Sequence, residues 1–440
     1  MINVVIPDNN IPERSYSIEM VLHHFLGIEI SISPQNCDCT TLSWSNKKIV
    51  IHDAFWDSGT PLSYLSKDKL PIIRRTRLHF SPENDFVILY GNKDLILGEN
   101  EIYCGIDVFA SVFFLLTRWE EYVVNTRDYL GRFIGSNSIL YKNNVIDRPL
   151  LNEYIEFIWA ILKSIGCEEK RSERTFHLVP THDVDHPYMK HRFWQTSKNL
   201  IKCFLRRDFL SIPYYLRDYF KDPFYIYPFF MDISEEIGEK SIFYFMSSDP
   251  SITRRGVTPY SERRLLKIAN SILHRNHKIG IHPGFFADNE QQVSKEKTLL
   301  ESIIKVHIDE GRMHYLKFIV PQSYNNLCNN DIILDSTLSY HDVEGFRCGT
   351  GDAFPVFDFI KREKLGICER PLIVMDTTID CYKNYTIDKI RSVLCTYIAV
   401  AKKYNMTFTI LFHNSSFTGK RGNDLKKLYK EVLLSLKNRD

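Results

Sequence analysis

Two carboxylates stand two residues apart in Thr181-His182-Asp183-Val184-Asp185-His186-Pro187, directly after Thr175–Pro180, a run that reads as a buried strand. A pair of acids at a strand end can divide two tasks, one ligating a cation and the other, close by but unligated, acting as a base. Taken alone, the segment reads equally well as a solvated acidic turn closed by Pro187. Further histidines extend the pattern. His282, in Gly280-Ile281-His282-Pro283-Gly284, ends another strand and offers an imidazole to a borderline metal such as Zn²⁺. His314, in Arg312-Met313-His314-Tyr315, offers a second. Asp185, His282 and His314 would together give the three-ligand open site of a hydrolytic divalent metal, with zinc as the single cofactor expected. His413, after Thr407–Phe412 and before Asn414-Ser415-Ser416, lies outside that set and suits proton delivery. Asp335 and Asp376 each end an apolar run, as partners that orient a His or Arg or as caps of the segment that follows.

The elements that must carry these residues change character along the chain. Residues 1–105 hold short apolar runs between turn signals (Val4-Val5-Ile6, Ile28–Ile32, Ile49-Val50-Ile51, Val87–Tyr90) and read as a small α+β domain without a chemical motif. Residues 106–172 read as a helical connecting region, with helical apolar spacing over Asp107–Tyr122 and again over Leu151–Ile165. From residue 173 to 440, short buried strands alternate with helix-length segments: Thr175–Pro180, Ser241–Met246, Lys278–Ile281, Ile332–Leu334, Leu372–Met375 and Thr407–Phe412. That alternation predicts parallel βα units, in which reacting groups project from the carboxyl ends of strands.

One segment interrupts the alternation. Residues 188–230 carry fourteen aromatics interleaved with Lys190, Arg192, Lys198, Lys202, Arg206, Arg207, Arg217 and Lys221. Its rings form either a small core of their own or a basic aromatic wall for a nucleotide- or lipid-diphosphate carrier, or for peripheral contact with a membrane surface.

Composition bounds the partners. The chain of 440 residues is 44% hydrophobic and 25% charged, which excludes disordered, collagen-like and coiled-coil classes. Fifty-six basic against fifty-four acidic residues give no global field that would collect nucleic acid, and none is expected as a partner. No signal-peptide pattern opens Met1–Asn10, and Val108–Leu116 is far too short to span a bilayer. The ten cysteines are scattered, with Cys37 and Cys39 lacking a second pair for a zinc site. The expectation is a cytoplasmic protein with reduced thiols.

Thr181–Pro187, Gly280–Gly284, Arg312–Phe318, Asp335-Ser336-Thr337-Leu338 with Gly345-Phe346-Arg347-Cys348-Gly349-Thr350, and Leu411-Phe412-His413-Asn414 follow the order of motifs in polysaccharide deacetylase-like proteins. The chain resembles that family over residues 175–440, and more narrowly its bacterial subgroup encoded with surface-polysaccharide genes. Asp107–Tyr122 with Arg148-Pro149 looks like the accessory region of that subgroup. The resemblance implies an α/β fold, a distorted (β/α) barrel preceded by an α+β accessory domain, and a metal-dependent hydrolase that removes N-acetyl groups from amino sugars. By position it makes Asp183 the base, Asp185 and His282 metal ligands, Arg312 the residue that steers the base and His413 the acid. The family's adjacent acid pair is here Asp183-Val184-Asp185, which leaves ligand and base interchangeable, and Phe286 stands where a second metal-binding His is usual. His314 is the first candidate to replace it, with His182, His186 and His341 in reserve. Arg347, Tyr315 and Asp335 are candidates for substrate contact, and Arg347 also for steering the base or ordering its loop. The alternatives are an amidase for a non-sugar acylamide and a catalytically degenerate scaffold that binds a glycan or partner.

Overall fold

The computed structural model describes residues 1–56, 60–189, 192–247 and 261–437. Alternating burial along the first strands, buried on one face and wet on the other, builds a mixed sheet from β1 (Ile2–Pro7), β2 (Ile30–Gln35), β3 (Cys39–Trp44) and β4 (Lys47–His52). A small antiparallel pair, β5 (Arg74–Thr76) and β6 (Phe86–Ile88), precedes β7 (Gly91–Leu97) and β8 (Glu101–Ile106), which complete the sheet in the order β2-β1-β3-β4-β8-β7. Helix α1 (Ile11–Ile18) links its first two strands. Then follow α2 (Val108–Thr117), the short turns α3 (Glu120–Val123) and α4 (Ile139–Lys142), and α5 (Leu150–Ser164). Helix α2 is buried on every side and starts at an Asp107 cap that accepts the Ala110 amide.

The second sheet positions the chemistry. Among the described residues it has nine strands in the order β14-β15-β13-β12-β11-β10-β9-β17-β16. They are β9 (His177–Val184), β10 (Ile242–Phe245), β11 (Lys278–Ile281), β12 (Glu310–Gly311), β13 (Leu334–Asp335), β14 (Phe354–Asp358), β15 (Glu363–Glu369), β16 (Leu372–Met375) and β17 (Thr407–Leu411). All hydrogen-bonded pairs are parallel except the β14–β15 hairpin at one edge. The connections hold α6 (Arg192–Arg206), α7 (Ile212–Phe220), α8 (Tyr227–Glu236), α9 (Glu262–His274), α10 (Glu290–Ile304), α11 (Gln322–Cys328) and α12 (Ile387–Lys403), and α13 (Gly419–Leu434) follows the last strand.

The sheet curls. Arg312, after β12, lies three strands from β9, about 14 Å in a flat sheet, yet its guanidinium donates to Asp183 on β9 at 3.0 Å. Strand β9 is also longer than expected. Its first part pairs with β17 and its last four residues, Thr181–Val184, pair with β10, so the acidic motif begins inside the strand rather than in a turn after it. Thr181 and Asp183 are tolerated there because both point into the polar concave face, while His182 points the other way.

The two halves are pinned together by polar contacts. Tyr16 donates to the Pro355 carbonyl at 2.8 Å and Arg362 clasps Glu13 at 2.7 and 2.9 Å. Glu121 receives both Arg118 and Arg347, and all three side chains are buried. Arg347 is therefore not a substrate contact: its remaining donors go to the Ser339 carbonyl, and it has no face on the candidate site, because a charge this deep must be fully paired within the protein.

The 188–230 segment forms no core of its own around its rings. Trp194, Phe204, Leu205, Phe209, Leu210 and Phe220 are all more than half exposed, because α6 turns its small and polar side, Thr196 and Cys203, toward the protein. The cysteines are all free thiols.

Removing Glu121 strands the buried Arg347 guanidinium and leaves Arg118 with Glu120 as its remaining carboxylate, so Glu121→Ala should cost about 3–5 kcal/mol. Urea unfolding followed by far-UV circular dichroism measures it; a change under 1 kcal/mol would contradict this reading of the Arg118–Glu121–Arg347 cluster.

Candidate active site

The carboxyl ends of β9, β11, β12 and β17 converge on one cavity of about 320 Å³, lined among others by Asp183, Asp185, His282, His314, Tyr315 and His413. Each side chain arrives by a separate local device. Asp183 lies one residue before the end of β9, in the stretch that pairs with β10, and Arg312 holds its Oδ1. The guanidinium does not clasp Asp183 bidentately. Its remaining donors reach Thr181 Oγ1 at 2.8 Å, the Ser336 carbonyl at 2.8 Å and Ser336 Oγ at 2.9 Å, and it lies 4.5 Å above the Tyr244 ring. Asp183 Oδ2 is left for the cavity, 3.7 Å from His282 Nε2.

His282 follows β11. Its Nδ1 lies 2.6 Å from the Arg312 carbonyl, which can only accept, so the proton sits on Nδ1 and the Nε2 lone pair faces Asp185 Oδ1 at 3.4 Å. His314 brings Nε2 to 3.7 Å from the same oxygen. Its backbone N–H donates to the Pro283 carbonyl at 3.0 Å, and Tyr315 and Leu316 after it both adopt left-handed conformations, at φ 62° and 53°. Two successive side-chain-bearing residues in that region are costly, and the cost is local to the site.

Asp185 Oδ1, His282 Nε2 and His314 Nδ1 are buried polar atoms without a hydrogen-bond partner. Asp185, His282 and His314 can each bring one ligand atom within 4.8 Å of the others. Buried polar atoms are nearly always satisfied, so the unpartnered Asp185 Oδ1 and His282 Nε2, with His314 Nε2 facing the same carboxylate oxygen, fit a divalent cation held by two imidazoles and a carboxylate. Their electrostatics differ: burial would lower His282, but the carboxylates of Asp183 and Asp185 beside it outweigh that and raise it. Burial drives His314 down to about 4, keeping its ring neutral with a free lone pair. Burial opposes ionisation of Asp185, but His314, His282 and His413 around it hold its carboxyl well below the usual range.

His413 stands two residues after the end of β17. Asp376, at the end of β16, accepts from its Nδ1 at 2.7 Å and its backbone N–H at 2.7 Å, and also from Ser416 Oγ. Burial alone would lower His413; the Asp376 carboxylate beside it outweighs that and carries it up to about 10. Asp376 thus orients a histidine, one of the two roles open to it in the sequence. A widened turn at Thr378–Tyr382 brings Cys381 and Tyr382 to the cavity beside Thr377.

The reserve histidines lie elsewhere. His182 is stacked on Phe230, its Nδ1 on the Phe412 carbonyl at 2.9 Å, and burial pushes it down to about 3. His186 lines a neighbouring cavity. His341 lines the wall of the site, 3.7 Å from Asp128 and outside the cluster of orphaned atoms. Phe286 is 41% exposed and packs on Phe285. Asp335 is corrected as a substrate contact: it is fully buried, accepts from the Thr337 hydroxyl at 2.7 Å, and burial raises its carboxyl against the hydrogen bonds from Glu369 and Thr337. Thr337 in turn accepts the Met313 amide at 2.9 Å, so Asp335 braces the segment carrying His314. Sequence reading missed Arg132, buried against Asp128 at 2.8 Å, and Tyr382, both on the cavity wall; neither sits in a motif or at a strand end.

Residues 2–166 match the model of a family of unknown function (DUF7033), which spans the first sheet and the helices that follow it. No curated protein matches the chain. Among solved structures, it is similar to a Mycobacterium smegmatis protein described as a polysaccharide deacetylase, with 16% identity, TM-score 0.38, and coverage of 60% of this chain and 85% of that one. A CE4 domain of a multidomain xylanase from the hindgut metagenome of Trinervitermes trinervoides gives 12%, 0.29, 60% and 83% in the same order. A polysaccharide deacetylase from Bacillus cereus gives 11%, 0.26, 60% and 86%.

The His413–Asp376 pair sets a pH signature. His413 is raised on folding, so its share of stability is full below about pH 6.5 and is lost as pH rises through about 10. Asp376 is lowered, so its share is present above about pH 4 and lost as pH falls. The stability difference between wild type and Asp376→Asn, from urea unfolding, should be largest between about pH 4 and 6.5 and shrink toward pH 10. A difference that grows as pH rises above about 6.5 would contradict the pairing.

Proposed function

We propose that the chain is a metal-dependent hydrolase that removes an N-acyl group, acetyl by preference, from an amino sugar. The observation that carries this is the converging set of Asp185, His282 and His314, with Asp185 Oδ1 and His282 Nε2 buried and without a hydrogen-bond partner, flanked in one cavity by a carboxylate held by arginine and a histidine held by a carboxylate. A divalent ion bound there, zinc by the donor set, supplies Lewis acidity toward the acyl carbonyl and acidifies water.

The chain's own residues do the rest. Asp183, its Oδ1 fixed by Arg312, takes the proton of the attacking water on Oδ2. As the carbon–nitrogen bond breaks, His413, held protonated by Asp376, gives its Nε2 proton to the leaving amine, which would otherwise leave as a poor anion. Water adds to the acyl carbon, and the products are a carboxylic acid and an amine. Tyr315 and Tyr382 offer ring faces on the cavity wall where a sugar can stack. The amino-sugar substrate and a place in surface-glycan assembly rest on the motif resemblance. A nucleotide- or lipid-diphosphate carrier for the sugar belongs to the same reading.

Asp185→Ala, His282→Ala and His314→Ala should each abolish stoichiometric zinc, measured by elemental analysis of dialysed protein. Asp183→Asn and His413→Ala should retain zinc and lose about 10²–10⁴-fold in acetate release from chitotetraose or a nucleotide-linked N-acetylhexosamine. A wild-type chain that holds no divalent metal, or releases no acetate from either substrate, overturns the proposal.

A further inference from the structure

Helix α6 is built inside out. At 3.6 residues per turn, Phe193, Phe204, Ile201, Trp194 and Leu205 fall within an arc of about 120°, and every one is at least 58% exposed. Lys198, Lys202 and Arg206 occupy the adjoining arc at i, i+4 and i+8, exposed and with no ion-pair or hydrogen-bond partner among the described residues. The opposite side, toward the protein, carries buried Thr196 and Cys203. The apolar surface continues through Phe209 and Leu210, 56% and 75% exposed, onto Phe220 of α7 at 77%.

Such a patch is larger than scattered surface apolar residues explain, and its charge decides what covers it. The acids of the segment are engaged: Asp208 accepts from Ser211 Oγ at 2.6 Å, Asp218 from the Gly419 amide at 2.8 Å and Asp222 from the Met189 and Phe224 amides. What remains outward is a column of cations along an apolar stripe with Trp194 at its border, the composition of a helix that lies in a lipid–water interface. A second copy of the chain would set that column against itself. Lysine and arginine stems can lie along the acyl boundary while their heads reach lipid phosphates.

We propose that α6, the 209–211 turn and α7 dock the protein on a bilayer surface rich in anionic lipid, α6 lying in the interface plane. The consequence for the site is spatial. A cavity of about 310 Å³ on the inner side of α6 and α7, lined by Gln195, Thr196, Asn199 and Tyr215, meets the candidate active site at Ser415, which lines both. Docking through the outer side would therefore bring the site beside the membrane, whatever reaction it carries out. No helix among the described residues is long and apolar enough to cross a bilayer, so the contact proposed is peripheral.

The test is sedimentation of the full chain with phosphatidylglycerol–phosphatidylcholine vesicles and with pure phosphatidylcholine vesicles, at low and high salt. Binding is expected on the anionic vesicles, weaker by tenfold or more without phosphatidylglycerol or at 0.5 M salt, with a blue shift of tryptophan emission that Trp194→Phe removes. The triple variant Lys198→Glu/Lys202→Glu/Arg206→Glu should bind at least about 100-fold more weakly, at roughly fivefold per cation. Phe204→Ser/Leu205→Ser/Leu210→Ser should also release the protein. All these positions are exposed, so unchanged circular dichroism and zinc content separate loss of docking from loss of fold or of the catalytic reading. No binding to anionic vesicles, binding that both triple variants retain, or a solution dimer that Phe204→Ser/Leu205→Ser/Leu210→Ser converts to monomer with vesicle binding intact, overturns the proposal.

Discussion

A single buried guanidinium ties the concave face of the second sheet together. Arg312 is fully buried and reaches Thr181 and Asp183 on one strand, Ser336 beyond another and the Tyr244 ring between them. Its own carbonyl orients His282. A charge taken this far from water survives only if every donor finds an acceptor, and here satisfying the donors sets the curl of the sheet and the position of the acid at its centre. The polar network and the shape of the cavity are one arrangement: a flatter sheet would leave Arg312 unpaired, and an unpaired Arg312 would have no reason to remain inside.

The histidines at the strand ends show how one side chain is turned to different uses by its surroundings. His314 is kept neutral by burial, whereas His413, also largely enclosed, is kept charged by the carboxylate of Asp376. His182, one residue from Asp183 in sequence, faces the opposite side of β9 and serves packing, stacked on Phe230. The period of two along a strand, rather than proximity in sequence, separates the chemical residue from the structural one.

That distinction also marks what was legible in the sequence. Polar residues at the ends of short apolar runs identified Asp183, Asp185, His282 and His413, because a parallel sheet leaves little else for a charged group to do at that place. The N-terminal strands with alternating burial were legible in part; β3, β7 and β8 were not, since Cys39–Trp44 and Gly91–Leu97 are largely polar and owe their pairing to neighbours rather than to their own pattern. Strands of two residues, as at Glu310–Gly311, are below any sequence period, which is why the position of His314 could not be derived. Arg347 misled because a loop arginine near an apparent motif reads the same whether it meets a substrate or a buried glutamate; only the fold brings Glu121 beside it. Arg132 gave no signal, since its place on the wall depends on contacts with Asp128 and the Tyr315 carbonyl.

The hairpin at the edge of the second sheet has a consequence for how the molecule can be divided. Tyr16 and Glu13 come from the opening helix, yet they seat on Pro355 and Arg362 of that hairpin, and Arg132 closes part of the cavity from the same portion of the chain. Cutting the polypeptide ahead of β9 would not liberate a self-sufficient module; it would uncover an apolar flank and open one side of the cavity. The two portions are obliged to assemble as partners, and interchange of either with an unrelated module would have to reproduce a seam as well as a site.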